Sequence, residues 1–131
     1  MNLYEYEDYQ KKFRTLHRDD MYHIIRDNDG TGMFQGMVDI FLVAFAIGFR
    51  YGKHEQVRGS GAINHVNSSA IDTDNQDLII ILMLDRHKGL EREQLWQMVE
   101  EYAEGGISIL YESLRLSEWV LDLDTIKGLG V

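Results

Sequence analysis

Apolar residues recur at helical spacing along most of the chain. Tyr6, Tyr9, Phe13 and Leu16 fall three and four apart, which predicts a first helix over about residues 3–17. Asp19 and Asp20 are placed to cap a short second helix through Ile25. The cluster Asp27, Asn28, Asp29, Gly30, Thr31, Gly32 reads as a turn. The longest apolar stretch follows, from Met33 to Phe49. It predicts a buried helix over 33–47, closed by Gly48 in a left-handed conformation, with Phe41 and Phe45 on one buried face.

Residues 50–72 keep no period and read as a long glycine-, serine- and asparagine-containing loop. The unbroken run Leu78 to Leu84 fits a helix or a buried strand by period alone. Its flanks favour the helix: Thr73 and Gln76 have capping-box spacing, Asp74 and Asp77 suit the positive end of the dipole, and Arg86, His87 and Lys88 suit the negative end. Leu95, Val99, Tyr102 and Ala103 mark a further helix, broken by Gly105 and Gly106. Ile107, Leu110, Tyr111 and Leu114 begin a last one that reaches about residue 121, and the tail from about 122 reads as loosely held. The pattern as a whole predicts an all-α fold: residues 1–131 form a single compact domain of about five helices around a buried central helix.

Composition narrows the setting. The chain has 131 residues and 44% hydrophobic content, enough for one packed domain. It has no cysteine, which excludes disulfides and thiolate zinc sites and fits a reducing, cytoplasmic setting. Met1 to Asp8 is acidic and aromatic rather than basic then apolar, so no secretory signal is expected. The stretch from Met33 to Phe49 is shorter than the roughly 20 residues of a membrane span and carries Gln35 and Asp39, so a buried core helix is the better reading. The net charge of −9 repels nucleic acid over most of the surface.

Tests for catalytic or cofactor chemistry fail. The sequence around Asp27, Asp29 and Thr31 opens like a calcium-binding loop, but the twelfth position, a bidentate glutamate in such loops, is Val38. Gly30, Gly32 and Gly36 are spaced one residue too long for a dinucleotide fingerprint and follow no apolar strand. His17, His23, His54, His65 and His87 include no i, i+4 pair able to share a metal. Gly59-Ser60-Gly61, with His54 or His65 as base, lacks the strand-to-helix context of a nucleophile elbow. No cofactor, metal site or catalytic residue is therefore expected.

Two charged features stand out. The segment from Arg50 to Arg58 carries three cations and one glutamate, a local +2 that leaves −11 on the rest of the chain. Arg50, Tyr51, Lys53, His54 and Arg58 are candidate contacts to a protein partner or to DNA phosphate, against the plainer reading of a solvated loop. Glu100, Glu101 and Glu104 fall in the last turn of a predicted helix, where carboxylates oppose the dipole. They are candidates for an acidic surface that meets a basic partner, against simple solvation.

The same two regions carry a resemblance. Phe45-Ala46-Ile47-Gly48-Phe49-Arg50-Tyr51-Gly52-Lys53 is similar to a pattern found in small proteins of DNA phosphorothioation (Dnd-type) defence clusters. Glu100-Glu101-Tyr102-Ala103-Glu104-Gly105-Gly106-Ile107-Ser108-Ile109-Leu110 resembles the second pattern of that family, with Glu104 in place of a more usual asparagine. The resemblance implies work beside sulfur-modification and restriction proteins in anti-phage defence, and it carries over no catalytic residue. The expected role is a non-enzymatic accessory subunit acting through protein subunits of a DNA modification or restriction complex, with self-association possible in principle from patches of opposite sign. The alternatives are a small DNA-binding regulator using the basic loop and a hydrolase assembled from scattered residues.

Overall fold

A computed structural model of the chain describes residues 3–16 and 18–130. In chain order its elements are α1 (Leu3–Glu7), β1 (Lys12–Leu16), α2 (Asp19–Asp27), α3 (Met37–Tyr51), β2 (Ala62–Asn67), a 3-10 turn (Ser68–Ala70), α4 (Thr73–Arg86), α5 (Arg92–Leu116) and α6 (Leu123–Gly128). The domain is mostly helical, as the apolar pattern predicts, but it is not all-α. β1 and β2 pair antiparallel from Lys12 opposite Asn67 to Leu16 opposite Ala62.

That pairing corrects two expectations. The first helix stops at Glu7, and Phe13 and Thr15 are buried alternately with their neighbours, the period of a strand. The three- and four-residue spacing of Phe13 and Leu16 is coincidental, because packing against β2 and α5 decides the local conformation. His17, at the end of the expected helix, lies outside the described residues. The segment 50–72 is likewise not wholly loop, since it contains β2 and the 3-10 turn.

α4 confirms the helical reading of the run Leu78 to Leu84. Its cap is Asp72 rather than Thr73: the Asp72 carboxylate accepts the Asn75 amide at 2.8 Å. The tail is not loose. α6 is capped by Asp122 and packs on α5, with Ile126 fully buried. Among the described residues no helix is long and apolar enough to cross a membrane.

α3 and α5 form the centre. Phe41 and Phe45 lie on the buried face of α3 as expected, and the Phe13, Phe41 and Trp96 rings pack together, with Phe13–Phe41 centroids 4.4 Å apart. Two glycine expectations fail at this crossing. Gly48 does not end its helix, and Gly105 and Gly106 do not break theirs. α3 runs through Gly48 to a left-handed Gly52 at φ 66°, and α5 is continuous for 25 residues. The glycines are there because the backbones touch. A Cβ on Gly48 would lie 1.9 Å from the Tyr102 carbonyl oxygen, and one on Gly106 would lie 1.8 Å from the Ala44 carbonyl oxygen. A Cβ on Gly105 would lie 2.4 Å from the Lys53 carbonyl oxygen. Helix propensity disfavours glycine by about 1 kcal/mol per residue, and close backbone approach outweighs it here.

Gly106→Ala should therefore force α3 and α5 apart and cost about 3 kcal/mol or more, at the upper end of overpacking penalties. Gly128→Ala, whose Cβ meets nothing within 4 Å in α6, should be neutral or slightly stabilising. Paired thermal or urea melts of the two variants check this, and similar losses in both would refute the close contact.

Candidate partner-binding surface

Glu100 and Glu104 are not a surface. They are 0% and 2% exposed. Because α5 continues to Leu116, they sit mid-helix rather than in a last turn, and the dipole argument for them lapses. Their carboxylates close the open edge of β1. Glu100 accepts the Arg14 amide at 2.8 Å, and Glu104 accepts the Leu16 amide at 2.6 Å and the Thr15 hydroxyl at 2.7 Å. The match is geometric: side chains four apart on a helix are separated by about 6 Å, close to the about 6.8 Å between alternate strand amides. Positive charge completes each site. Lys11 and Arg14 reach Glu100 at 3.3 and 3.5 Å, and Arg18 reaches Glu104 at 3.6 Å. Burial still raises the Glu104 pKa above the usual carboxylate range, against the lowering effect of Thr15, Leu16 and Arg18.

Only Glu101 of the three keeps partial exposure. It faces His54, whose Nδ1 is 3.8 Å away, and its backbone carbonyl accepts the Glu55 amide at 3.0 Å. The loop after α3 is thereby tied to α5. Further on, Val57 is buried and its carbonyl accepts a hydrogen bond from Arg14 at 2.8 Å. Replacing Glu100 by alanine should leave the Arg14 amide and two cations without their acceptor and cost about 3–5 kcal/mol. Hydrogen exchange at Arg14 and Leu16 would separate this local release from global unfolding, and unchanged protection at Arg14 would refute the edge-closing role.

A bulge in the sheet bears on the histidines. Phe13 pairs with Val66 but Arg14 pairs with Asn64, so His65 is the extra residue on β2. Its ring packs on Tyr22 at 4.4 Å and on Phe41 at 5.8 Å, and its buried Nδ1 has no hydrogen-bond partner among the described residues. Burial pushes the His65 pKa down to about 4, opposed by Asp19 and aided by His23. The neutral ring is thus favoured in the folded state. The stability tied to it is full above about pH 6.5 and falls by about 3 kcal/mol as pH drops to 4. Glu104 acts with the opposite sign: its raised pKa makes the folded state lose stability as pH rises from 4.5. His65→Phe should melt with less pH dependence than the parent between pH 7 and 4. Parallel profiles for the two proteins would rule out His65 as the titrating group.

The structure separates the candidate residues of the basic segment into three places. Arg50 and Tyr51 end α3, with the Arg50 guanidinium 5.5 Å over the Tyr51 ring. They border an apolar groove of about 500 Å³ whose α3 wall is Leu42, Val43 and Ala46 and whose far wall is Leu121, Leu123 and Ile126. Lys127 stands on the opposite rim. Lys53 and His54 instead face α5, in a shallow depression with Gly105 and Ser108, and Arg58 is exposed and lines neither hollow. Neither Arg50 nor Lys127 meets a carboxylate among the described residues. Lys127 and the Leu121–Leu123 wall escape a sequence reading that leaves the tail loose; the signal available was Asp122, a helix cap four residues before the apolar Ile126. Among the described residues no group of histidine, aspartate and glutamate side chains is arranged to hold a metal ion.

The family model for DNA sulphur modification system-associated protein 4 matches residues 14–125. The chain belongs to that family. The match begins within the carboxylate-held strand β1 and ends within α6, so it takes in the α3–α5 crossing, β2 and the α3 wall of the groove, and stops before Ile126 and Lys127. The two sequence blocks that resemble the Dnd-associated family are the two sides of one contact: Gly48 lies against Tyr102, and Gly106 against Ala44 and Gly48. No curated protein and no solved structure matches the chain.

Proposed function

We propose that this DNA sulphur modification system-associated protein is a non-enzymatic, cytoplasmic accessory subunit of a phosphorothioation-linked anti-phage defence system, acting through protein subunits of the modification or restriction machinery. The observation that carries the reading is the α3–α6 groove: apolar along its walls, with Arg50 and Lys127 on its rim and without a carboxylate partner for either among the described residues. Such a groove suits an amphipathic partner helix, whose apolar face fills it and whose acidic side chains pair with the rim. The absence of an enzymatic role in this reading rests on how the unusual ionisable groups are used. Glu100 and Glu104 are occupied in closing β1, and the ring of His65, the bulged residue of β2, packs on Tyr22 and Phe41.

The test is co-purification of the tagged protein from its native host, comparing the parent with Arg50→Glu/Lys127→Glu. Exposed substitutions of this kind usually change stability within about 0.5 kcal/mol, so the melt should hardly move. Recovery of modification or restriction subunits should fall at least about tenfold, because like charges then face the partner's carboxylates. Undiminished recovery would overturn the groove as the docking site. Loss of DNA with protein partners retained would instead favour the regulator that contacts phosphate through Arg50, Lys53 and Arg58.

A further inference from the structure

Beyond α5 the chain is docked by apolar contact alone. The hydrogen bonds of residues 120–130 stay within that segment or reach back only to Ser117. Asp122 accepts the Asp124 amide and the Thr125 hydroxyl, and the Ile126 amide donates to the Asp122 carbonyl. Among the described residues, no hydrogen bond or ion pair ties the segment to any earlier element. α1, at the other end of the chain, is tied. The Trp96 indole donates to the Tyr6 carbonyl at 2.8 Å, and the Tyr6 hydroxyl donates to the Leu90 carbonyl at 2.9 Å. What holds α6 is buried Ile126 and half-buried Leu121, while Val120 and Leu123 are exposed.

The link to α6 is strained. Glu118 and Trp119 have φ 57° and 67°, and among the described residues they are the only non-glycine residues in the left-handed region. L side chains crowd their own backbone there, and helices that end this way usually place a glycine at that position. Residues 117–122 include neither glycine nor proline, so no local residue obliges α5 to stop at Leu116. The sequence instead continues a helical pattern: Leu116, Trp119, Leu123 and Ile126 follow at three- and four-residue steps. Contacts impose the bend. The Trp119 amide donates to the Leu114 carbonyl at 2.7 Å, the Trp119 ring lies 6.2 Å from that of Tyr111, and Ile126 is docked. Non-glycine residues persist in this region only where their surroundings hold them, and they cluster at clamps and switch segments.

We propose that residues 117–130 are a hinged strap. Ile126 leaves α5, Glu118 and Trp119 return to right-handed φ, and the far wall of the α3–α6 groove moves away as one piece. Straightening relieves two left-handed residues. It also exposes Ile126 and Leu121 to water, which keeps the closed form dominant. For a partner in the groove the strap sets the width of the site. That consequence rests on the docking function proposed above; the motion does not.

The chain has no cysteine, so one introduced thiol reports opening. A thiol reagent should modify Ile126→Cys at least about tenfold faster than Ile80→Cys, although both positions are at most 1% exposed, because the strap opens without the core. Glu118→Gly removes the left-handed crowding and should slow modification at position 126 about fivefold. Glu118→Val places a β-branched residue where it is least tolerated and should quicken it about as much. Neither should change the rate at position 80. Amide exchange of the cysteine-free chain covers the case in which Ile126→Cys itself loosens α6. A six-residue helix has no stability of its own, so α6 amides should exchange well before those around Ile107, and should respond to the two Glu118 substitutions in the same order. These measurements need no partner, so they are read apart from the co-purification of Arg50→Glu/Lys127→Glu. Equal thiol rates at 126 and 80, Glu118 substitutions that shift both rates or neither, or α6 amides as protected as those around Ile107 would each overturn the strap.

Discussion

Everything in this fold is referred to the place where α3 and α5 touch backbone to backbone. Without side chains at Gly48 and Gly106, the carbonyls of Tyr102 and Ala44 come within a distance that any Cβ would violate. That closeness fixes the rotation of α5 as well as its distance, because only one face of the helix presents glycine. Once the rotation is fixed, Trp96, Tyr102 and Ile107 turn into the core and Glu100 and Glu104 turn towards β1. Gly105 then accommodates the backbone of the loop after α3, so the same contact also places Lys53 and His54.

The second constraint is electrostatic and depends on the first. A two-stranded sheet has open edges, and unpaired amides are costly when buried. Here two carboxylates from a helix take the place of a third strand, at a spacing that helix and strand geometry nearly share. Buried ion pairs often gain little net stability over apolar packing, but removing one partner is expensive, so they act as a register device. Lys11, Arg14 and Arg18 must come from the β1 segment for Glu100 and Glu104 to be satisfied. A one-residue slip of β1 would strand both carboxylates.

These two constraints absorb the residues that look most functional in the sequence. The glycines of both blocks that resemble the Dnd-associated family are occupied in core geometry, and two of the three prominent glutamates serve the sheet. What the two constraints leave unused is peripheral: the groove rimmed by Arg50 and Lys127, the basic loop beyond it, and the exposed side of α4.

The sequence by itself determined a good deal. Apolar periodicity established a mostly helical domain with Phe41 and Phe45 at its centre, flanking charges identified α4 as a helix, and two short blocks pointed to the family. These are local properties, or patterns a neighbour need not complete. Only the tertiary structure decided the rest. Phe13 and Thr15 became strand residues because β2 and α5 were there to receive them. Gly48 and Gly106 stayed helical because a neighbouring backbone needed the space of a Cβ. Glu100 and Glu104 were drawn inside because amides and cations nearly ninety residues earlier in the chain supplied their partners. A glycine reads as a break and a glutamate as surface when only sequence neighbours are considered. Both readings reverse when a distant segment provides a closer contact or a stronger charge than water does.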